Sequence, residues 1–128
     1  MIESAINTRT GTVCITSDGI IRQNVIPGTD FTLQDAQETI TSMRKLSEER
    51  VYPMLVDLTG LKSITHEARH YFGGEITGHE ARAVALLFSS VITQVIGNFF
   101  LRFNNPKVPI KLFSSETQAL TWLREFLS

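Results

Sequence analysis

The chain has almost nothing with which to cross-link itself. Its single cysteine, Cys14, has no partner for an intrachain disulfide, so the expected setting is a reducing interior and the expected location cytoplasmic. Long hydrophobic runs are also missing. The longest, Ala83–Phe88 and Phe99–Leu101, fall far short of the ~20 residues that span a bilayer. Met1–Thr10 is mostly polar rather than a charged-then-apolar leader, and no membrane insertion is expected. Neither sign of charge is in excess, with 13 acidic against 12 basic side chains and a net charge of -1. Residues 1–64 hold eight acidic and six basic side chains, and residues 65–128 hold five and six. With no basic patch interleaved with aromatics, no nucleic-acid partner is expected. Repeats, low-complexity segments and long linkers are absent too, so residues 1–128 read as one domain.

What is present is a 42% hydrophobic content arranged in regular alternation of strand and helix. Ser17-Asp18-Gly19 separates two β-rich runs, Gly11–Thr16 and Ile20–Ile26, as a hairpin turn would. Pro27-Gly28-Thr29-Asp30 closes the second run. Thr32 with Asp35 approximates a capping box. Leu33, Ala36, Ile40, Met43 and Leu46 follow at helical spacing. Val51–Leu58 is the next strand, and Ile64–Phe72 is a short helix opened by Ser63 or Thr65 and stopped by Gly73-Gly74. Arg82–Phe88 is apolar on both faces, the mark of a parallel, doubly covered strand.

Ser89 or Ser90 caps the following helix, which runs to about Asn104 and breaks at Pro106. On it Ile92, Val95, Ile96, Phe99 and Phe103 read as the core stripe, while Val91, Phe100 and Leu101 fall outside it and Gly97 lies opposite. Such surplus apolar surface points to self-association or a partner groove. Val108–Phe113 is the last strand, and Ser115 with Gln118 opens a helix burying Ala119, Leu120, Trp122, Leu123 and Phe126. The order is a β-hairpin followed by alternating α and β. Counted from the second hairpin strand it gives four βα units wound into one mostly parallel sheet, an α/β fold with the first strand antiparallel.

Asp18-Gly19-Ile20, Val56-Asp57-Leu58 with Gly60-Leu61, Glu67-Ala68-Arg69, Ala83–Leu87, Asn98-Phe99-Phe100, Pro109 with Leu112-Phe113, and Ala119 with Trp122-Leu123 together resemble a known pattern. It is that of the bacterial anti-anti-sigma factors, the STAS or SpoIIAA-like domain. More closely, the chain is similar to small bacterial STAS/SEC14-like proteins of uncharacterised function. The resemblance runs from about Gly11 onward, and its motifs are structural, so it implies a fold more than an activity. It implies a non-enzymatic regulatory or protein-interaction domain, with carriage of an anionic or lipid-like molecule as the alternative. Anti-anti-sigma factors carry a phosphorylatable serine at the start of the helix after this strand. Lining up Asp57-Leu58-Thr59 places Glu67 at that position, with Ser63 and Thr65 as nearby hydroxyls out of register. The resemblance also implies all four helices on one face of the sheet. The other face would then need cover, and a homodimer supplies it.

Two further patterns bear on chemistry. His66-Glu67-Ala68-Arg69-His70 matches H-E-x-x-H, which sets two imidazoles one helical turn apart to share a zinc ion with the glutamate as base. His79 is the remaining histidine, so a zinc-dependent hydrolase is a third reading. Against it, Arg69 puts a cation between the two ligands, and a solvated helix face is the commoner origin of the string. No cofactor is expected. Second, Ser63/Thr65, Ser89/Ser90 and Ser114/Ser115 stand at helix starts, where free N–H groups could hold an anion. Simple capping is the commoner role of such hydroxyls. The expected working surface is therefore the end carrying Thr59, Ser63, Thr65, His66, Glu67, Arg69 and His70. It would meet a regulatory protein partner, with the Ser89–Asn98 helix as a second contact. Cys14 reads as a small buried side chain, and Asp57 as the cap of a local turn.

Overall fold

The computed structural model describes residues 2–78, 81–103 and 107–127. Three antiparallel strands open the chain: β1 (Ile2–Asn7), β2 (Gly11–Thr16) and β3 (Ile21–Val25). The β2–β3 turn needs φ of 87° at Gly19, a conformation that glycine adopts without strain. From β3 the pairing becomes parallel, through β5 (Pro53–Asp57) and β7 (Ala83–Leu87) to β8 (Ile110–Phe113). The order across the sheet is β1-β2-β3-β5-β7-β8. All five residues of β7 are buried, as its apolar character on both faces requires. A second, two-stranded sheet pairs β4 (Thr29–Phe31) with β6 (Leu61–Ile64) in parallel. There the Ser63 hydroxyl donates to Asp30 Oδ1 at 2.5 Å.

Four helices complete the fold: α1 (Leu33–Ser47), α2 (His66–Gly78), α3 (Val91–Phe100) and α4 (Glu116–Arg124). Helix α1 starts in the expected box, with Thr32 and Asp35 bonded reciprocally. Arg9, from the β1–β2 turn, adds two bonds to the same carboxylate, from Nε at 2.7 Å and Nη2 at 2.5 Å. The Arg9 guanidinium holds the Asp35 carboxyl below its ordinary range, against the opposing effect of burial.

The sheet is covered on both sides. On one face Val13, Ile21, Val56, Val84 and Leu86 meet Ala36, Ile40 and Met43 of α1, Ala68, Phe72 and Ile76 of α2, and Ile96 and Phe100 of α3. On the other, Leu55, Ala83, Ala85 and Leu87 meet Ala119 and Leu123 of α4. The expectation of four helices on one face therefore fails. The reason lies in β7, whose alternation sends Val84 and Leu86 to one layer and two small alanines with Leu87 to the other. The alanines leave a shallow bed in which a helix can rest through its own Ala119. The bare face that argued for a homodimer is thus covered by α4 over β5 and β7.

Two helix expectations are corrected. Gly73-Gly74 does not stop α2, which continues to Gly78. A Cβ on Gly73 would lie 2.5 Å from the Phe103 ring, so glycine is there to admit an aromatic side chain rather than to end the helix. In α3 the buried positions are Thr93, Ile96, Gly97 and Phe100. Ile92 and Val95, read as core, are each 59% exposed, and Val91 is 77% exposed. Gly97 faces inward, not outward, because a Cβ there would meet Leu112 Cδ1 at 2.4 Å. Helix α3 rotates to press this glycine onto β8, and the rotation carries Ile92 and Val95 into solvent. Asn104 and Pro106, the expected end of this helix, lie outside the described residues.

Candidate functional site

Helix α2 begins where the sequence placed a hydroxyl cap, and the cap is Thr65: its Oγ1 accepts from the Ala68 N–H at 3.2 Å. Ser63 is instead committed to Asp30 across the small sheet. Thr59 lies one strand earlier, donating from both N–H and Oγ1 to Asp57 Oδ1 at 2.9 and 2.6 Å. That is the local turn expected of Asp57. Arg22 Nη2 stands 3.9 Å from the other Asp57 oxygen. Glu67 occupies the exposed first turn of α2, where its charge suits the helix dipole.

His66 and His70 meet edge to face one turn apart, with ring centroids 4.3 Å from each other and planes inclined at 64°. Among the described residues, no group of three His, Cys, Asp or Glu side chains could hold a metal ion. His79 lies outside the described residues. His70 is engaged elsewhere: its ring meets Phe99 of α3 edge-on at 5.2 Å and Phe103 at 6.3 Å. Arg69, between the two imidazoles, lays its guanidinium over Phe99 at 5.0 Å from the ring centre, and Arg102 does so at 5.3 Å. The H-E-x-x-H residues thus belong to an aromatic and cationic cluster joining α2 to the end of α3.

The serines at the other helix starts are caps. Ser90 Oγ accepts from Thr93 N at 3.1 Å, while the N–H groups of Ser89 and Ser90 both donate to Thr93 Oγ1. Three N–H groups at the start of α3, those of Ser89, Ser90 and Thr93, are therefore occupied by side chains of the capping box. Ser115 Oγ accepts from Gln118 N at 3.3 Å, and Ser114 precedes the cap on an exposed bend. β7 and β8 end side by side, with Leu87 paired to Phe113, so α3 and α4 start at the same edge of the sheet and then cover its opposite faces.

Beside the α2 cluster runs the exposed side of α3: Val91, Ile92 and Val95, continued by half-buried Phe99. No residue of α3 is charged. This combination of aliphatic exposure and missing charge is what distinguishes interface cores from ordinary surface. Arg102 completes the cluster and was not anticipated as a site residue. Its spacing from Phe99 was visible, but its approach to that ring depends on the 3-10 turn Leu101–Phe103.

Hollows elsewhere are of a different kind. Two are tiny, about 30 Å³ beside Met43 and Ile76 and about 10 Å³ between Gln23, Phe31, Phe72 and Phe100. Neither approaches the roughly 300–1,000 Å³ of a small-molecule site. Two larger hollows, about 780 and 540 Å³, are open grooves past Val51 and Arg82, at the opposite end of the sheet from the first turn of α2. Cys14 is buried beside Arg22, its pairing neighbour on β3, and burial pushes its thiol pKa up, keeping it protonated.

A family described as a domain of unknown function, DUF7793, matches residues 14–127. A comparison with curated proteins finds no match. Among solved structures, the chain is similar to an uncharacterised protein of the DUF3478 family with a SpoIIAA-like fold, from Shewanella loihica PV-4. The identity is 17%, 94% of this chain and 90% of that one are covered, and the TM-score is 0.58. It is also similar to a protein of unknown function from Arthrobacter sp. FB24, at 33% identity over 92% of this chain and 95% of that one, with a TM-score of 0.37. The first likeness establishes the SpoIIAA-like fold that the sequence pattern resembled.

Proposed function

The chain belongs to the DUF7793 family, a domain of unknown function, and on that premise we propose that it is a non-enzymatic regulatory domain that works by binding another protein. Its working surface is the first turns of α2 together with the exposed side of α3. One observation carries this reading: ten residues of α3 without a charge, three of them large aliphatic side chains standing in solvent, directly beside the Arg69–His70–Phe99 cluster. Monomeric proteins rarely leave such a patch uncovered. Interfaces are depleted of lysine and acidic side chains and enriched in aromatic and arginine ones, and the composition here is of that kind.

The test is retrieval of a partner from extracts of the protein's own host by immobilised wild-type chain, repeated with Arg69→Ala, His70→Ala and Val95→Lys. Each is expected to lose the partner at an unchanged melting temperature, while Gln118→Ala on α4 retains it. Loss of the fold in the surface variants, or loss of the partner through α4 instead, would overturn the reading. Light scattering on the isolated protein decides whether the partner is a second copy of the chain.

A further inference from the structure

Four of the eight arginines have an acid to answer them among the described residues, and Arg82 donates instead to the Val51 carbonyl. Arg9 pairs with Asp35, Arg22 with Glu116 and Asp57, Arg44 with Glu75, and Arg124 with Asp18. Arg69 and Arg102 have no carboxylate partner among the described residues. Instead both guanidiniums converge on one ring, Phe99, at 5.0 and 5.3 Å from its centre. Nε of Arg69 is buried there without any acceptor. An aromatic ring attracts a cation, but two guanidiniums about one ring with no carboxylate between them repel each other, and an unanswered buried N–H costs free energy. The one carboxylate on the first turns of α2, Glu67, is exposed and makes no ion pair among the described residues. The site is therefore short of negative charge, and it borders a stripe that lacks charge altogether.

We propose that this face receives an acidic amphipathic helix from another protein. Its apolar side lies on Val91, Ile92, Val95 and Phe99, and its carboxylates reach Arg69 and Arg102. The inference rests on the functional reading above and gives the partner's chemistry. The α3 stripe from Val91 to Phe99 is about 12 Å long at 1.5 Å per residue, a match for two to three turns of a partner helix presenting anchors at i, i+3, i+4 and i+7. A helix exposes no unpaired backbone along its side, so recognition proceeds through side chains. A second copy of the chain fits less well, since it brings the same uncharged helix and two more guanidiniums, with only Glu67 to offset them. An anionic membrane also fits less well: interfacial helices carry Lys or Arg on the helix itself with Trp, Phe or Leu opposite, whereas α3 has neither a basic residue nor a fully exposed aromatic.

The experiment uses two synthetic, fluorescently labelled helical peptides with one leucine stripe, flanked by glutamates in one and by lysines in the other. Binding to the full chain is followed by anisotropy. The glutamate peptide is expected to bind roughly tenfold or more tightly than the lysine peptide, with affinity falling as salt rises. Arg69→Ala and Arg102→Ala should each weaken it several-fold and flatten the salt dependence, and Val95→Asp should abolish binding at an unchanged melting temperature. Arg102→Ala is the safeguard against misfolding, because its side chain is exposed. Equal binding of both peptides, binding of neither, preference for phosphatidylglycerol vesicles, or a stable dimer that excludes the glutamate peptide would each overturn the inference. If a host partner is lost with Val95→Lys but kept by both arginine variants, the acidic helix is wrong and the interaction surface stands. If no variant on α2 or α3 matters, both fall.

Discussion

Helices α3 and α4 are built alike and finished differently. Each follows a parallel strand of the main sheet, each starts at a serine cap, and each buries a small residue against the sheet beside a large one: Gly97 with Phe100 in α3, Ala119 with Leu123 in α4. Outward, α4 shows Glu116, Thr117, Gln118, Thr121 and Arg124, whereas α3 shows Val91, Ile92 and Val95. The inward sides make the fold, and on that count the two helices are equivalent. The outward side of α4 adds only ion pairs to the domain, Glu116 with Arg22 and Arg124 with Asp18, whereas Val91, Ile92 and Val95 of α3 stand in solvent. A helix that needs only to cover a sheet can be polar outside, as α4 is, so covering the sheet does not account for the apolar outside of α3, which the proposed partner would cover.

The comparison is tested hardest on the inward sides. Phe100→Ala is expected to cost about 3–5 kcal/mol and Leu123→Ala about 2–5 kcal/mol, read from urea denaturation midpoints. A much smaller loss for Phe100 would break the equivalence. Next come the caps. Ser90→Ala and Ser115→Ala should each cost about 1 kcal/mol, with Ser90 the larger because its bond to Thr93 is reciprocated. The ends also differ in titration. Glu116, in the first turn of α4, accepts from Arg22 at 2.5 Å, and that bond holds its carboxyl below the ordinary value. A lowered folded pKa stabilises above the unfolded value, near pH 4.3, and the contribution is lost as pH falls through the folded pKa. Glu116→Gln should therefore remove less than about 1 kcal/mol at neutral pH and flatten the acid limb of stability. No such limb arises from α3, which carries nothing ionisable. The smallest effect is on the outward side: Val95→Ser is expected to change stability by no more than about 0.5 kcal/mol while weakening partner binding, and that separation sharpens the contrast.

The alternation of strands and helices from Gly11 onward was legible because β5 and β7 are apolar on both faces and because Thr32, Ser90 and Ser115 mark their helices. Three strands were not. β1 has the composition Ile-Glu-Ser-Ala-Ile-Asn and sits at the sheet's edge, where one neighbour suffices and no hydrophobic pattern is needed. β4 and β6 have three and four residues, too few for a period to be read. The phase of α3 was misjudged for a related reason: when nearly every position is apolar, periodicity does not say which side faces in, and the packing of Gly97 on Leu112 decided it. At the candidate site, the string His66–His70 was visible but its meaning was not. Its neighbours Phe99, Phe103 and Arg102 come from another helix and turn, some thirty residues on, a relation that only folding creates.

Gly73 has a bearing on how fast and how tightly the α2–α3 face can act. By admitting the Phe103 ring against its bare backbone, it locks the end of α3 to the middle of α2. Phe103 in turn touches Phe99 and His70. On the proposed reading the surface would thus be assembled before a partner arrives, and association would need no ordering of this side. A recognition surface held in this way behaves as a lock already cut. Whatever flexibility the encounter requires must be brought by the other molecule, and complex lifetime should depend more on the visitor's stiffness than on any rearrangement here.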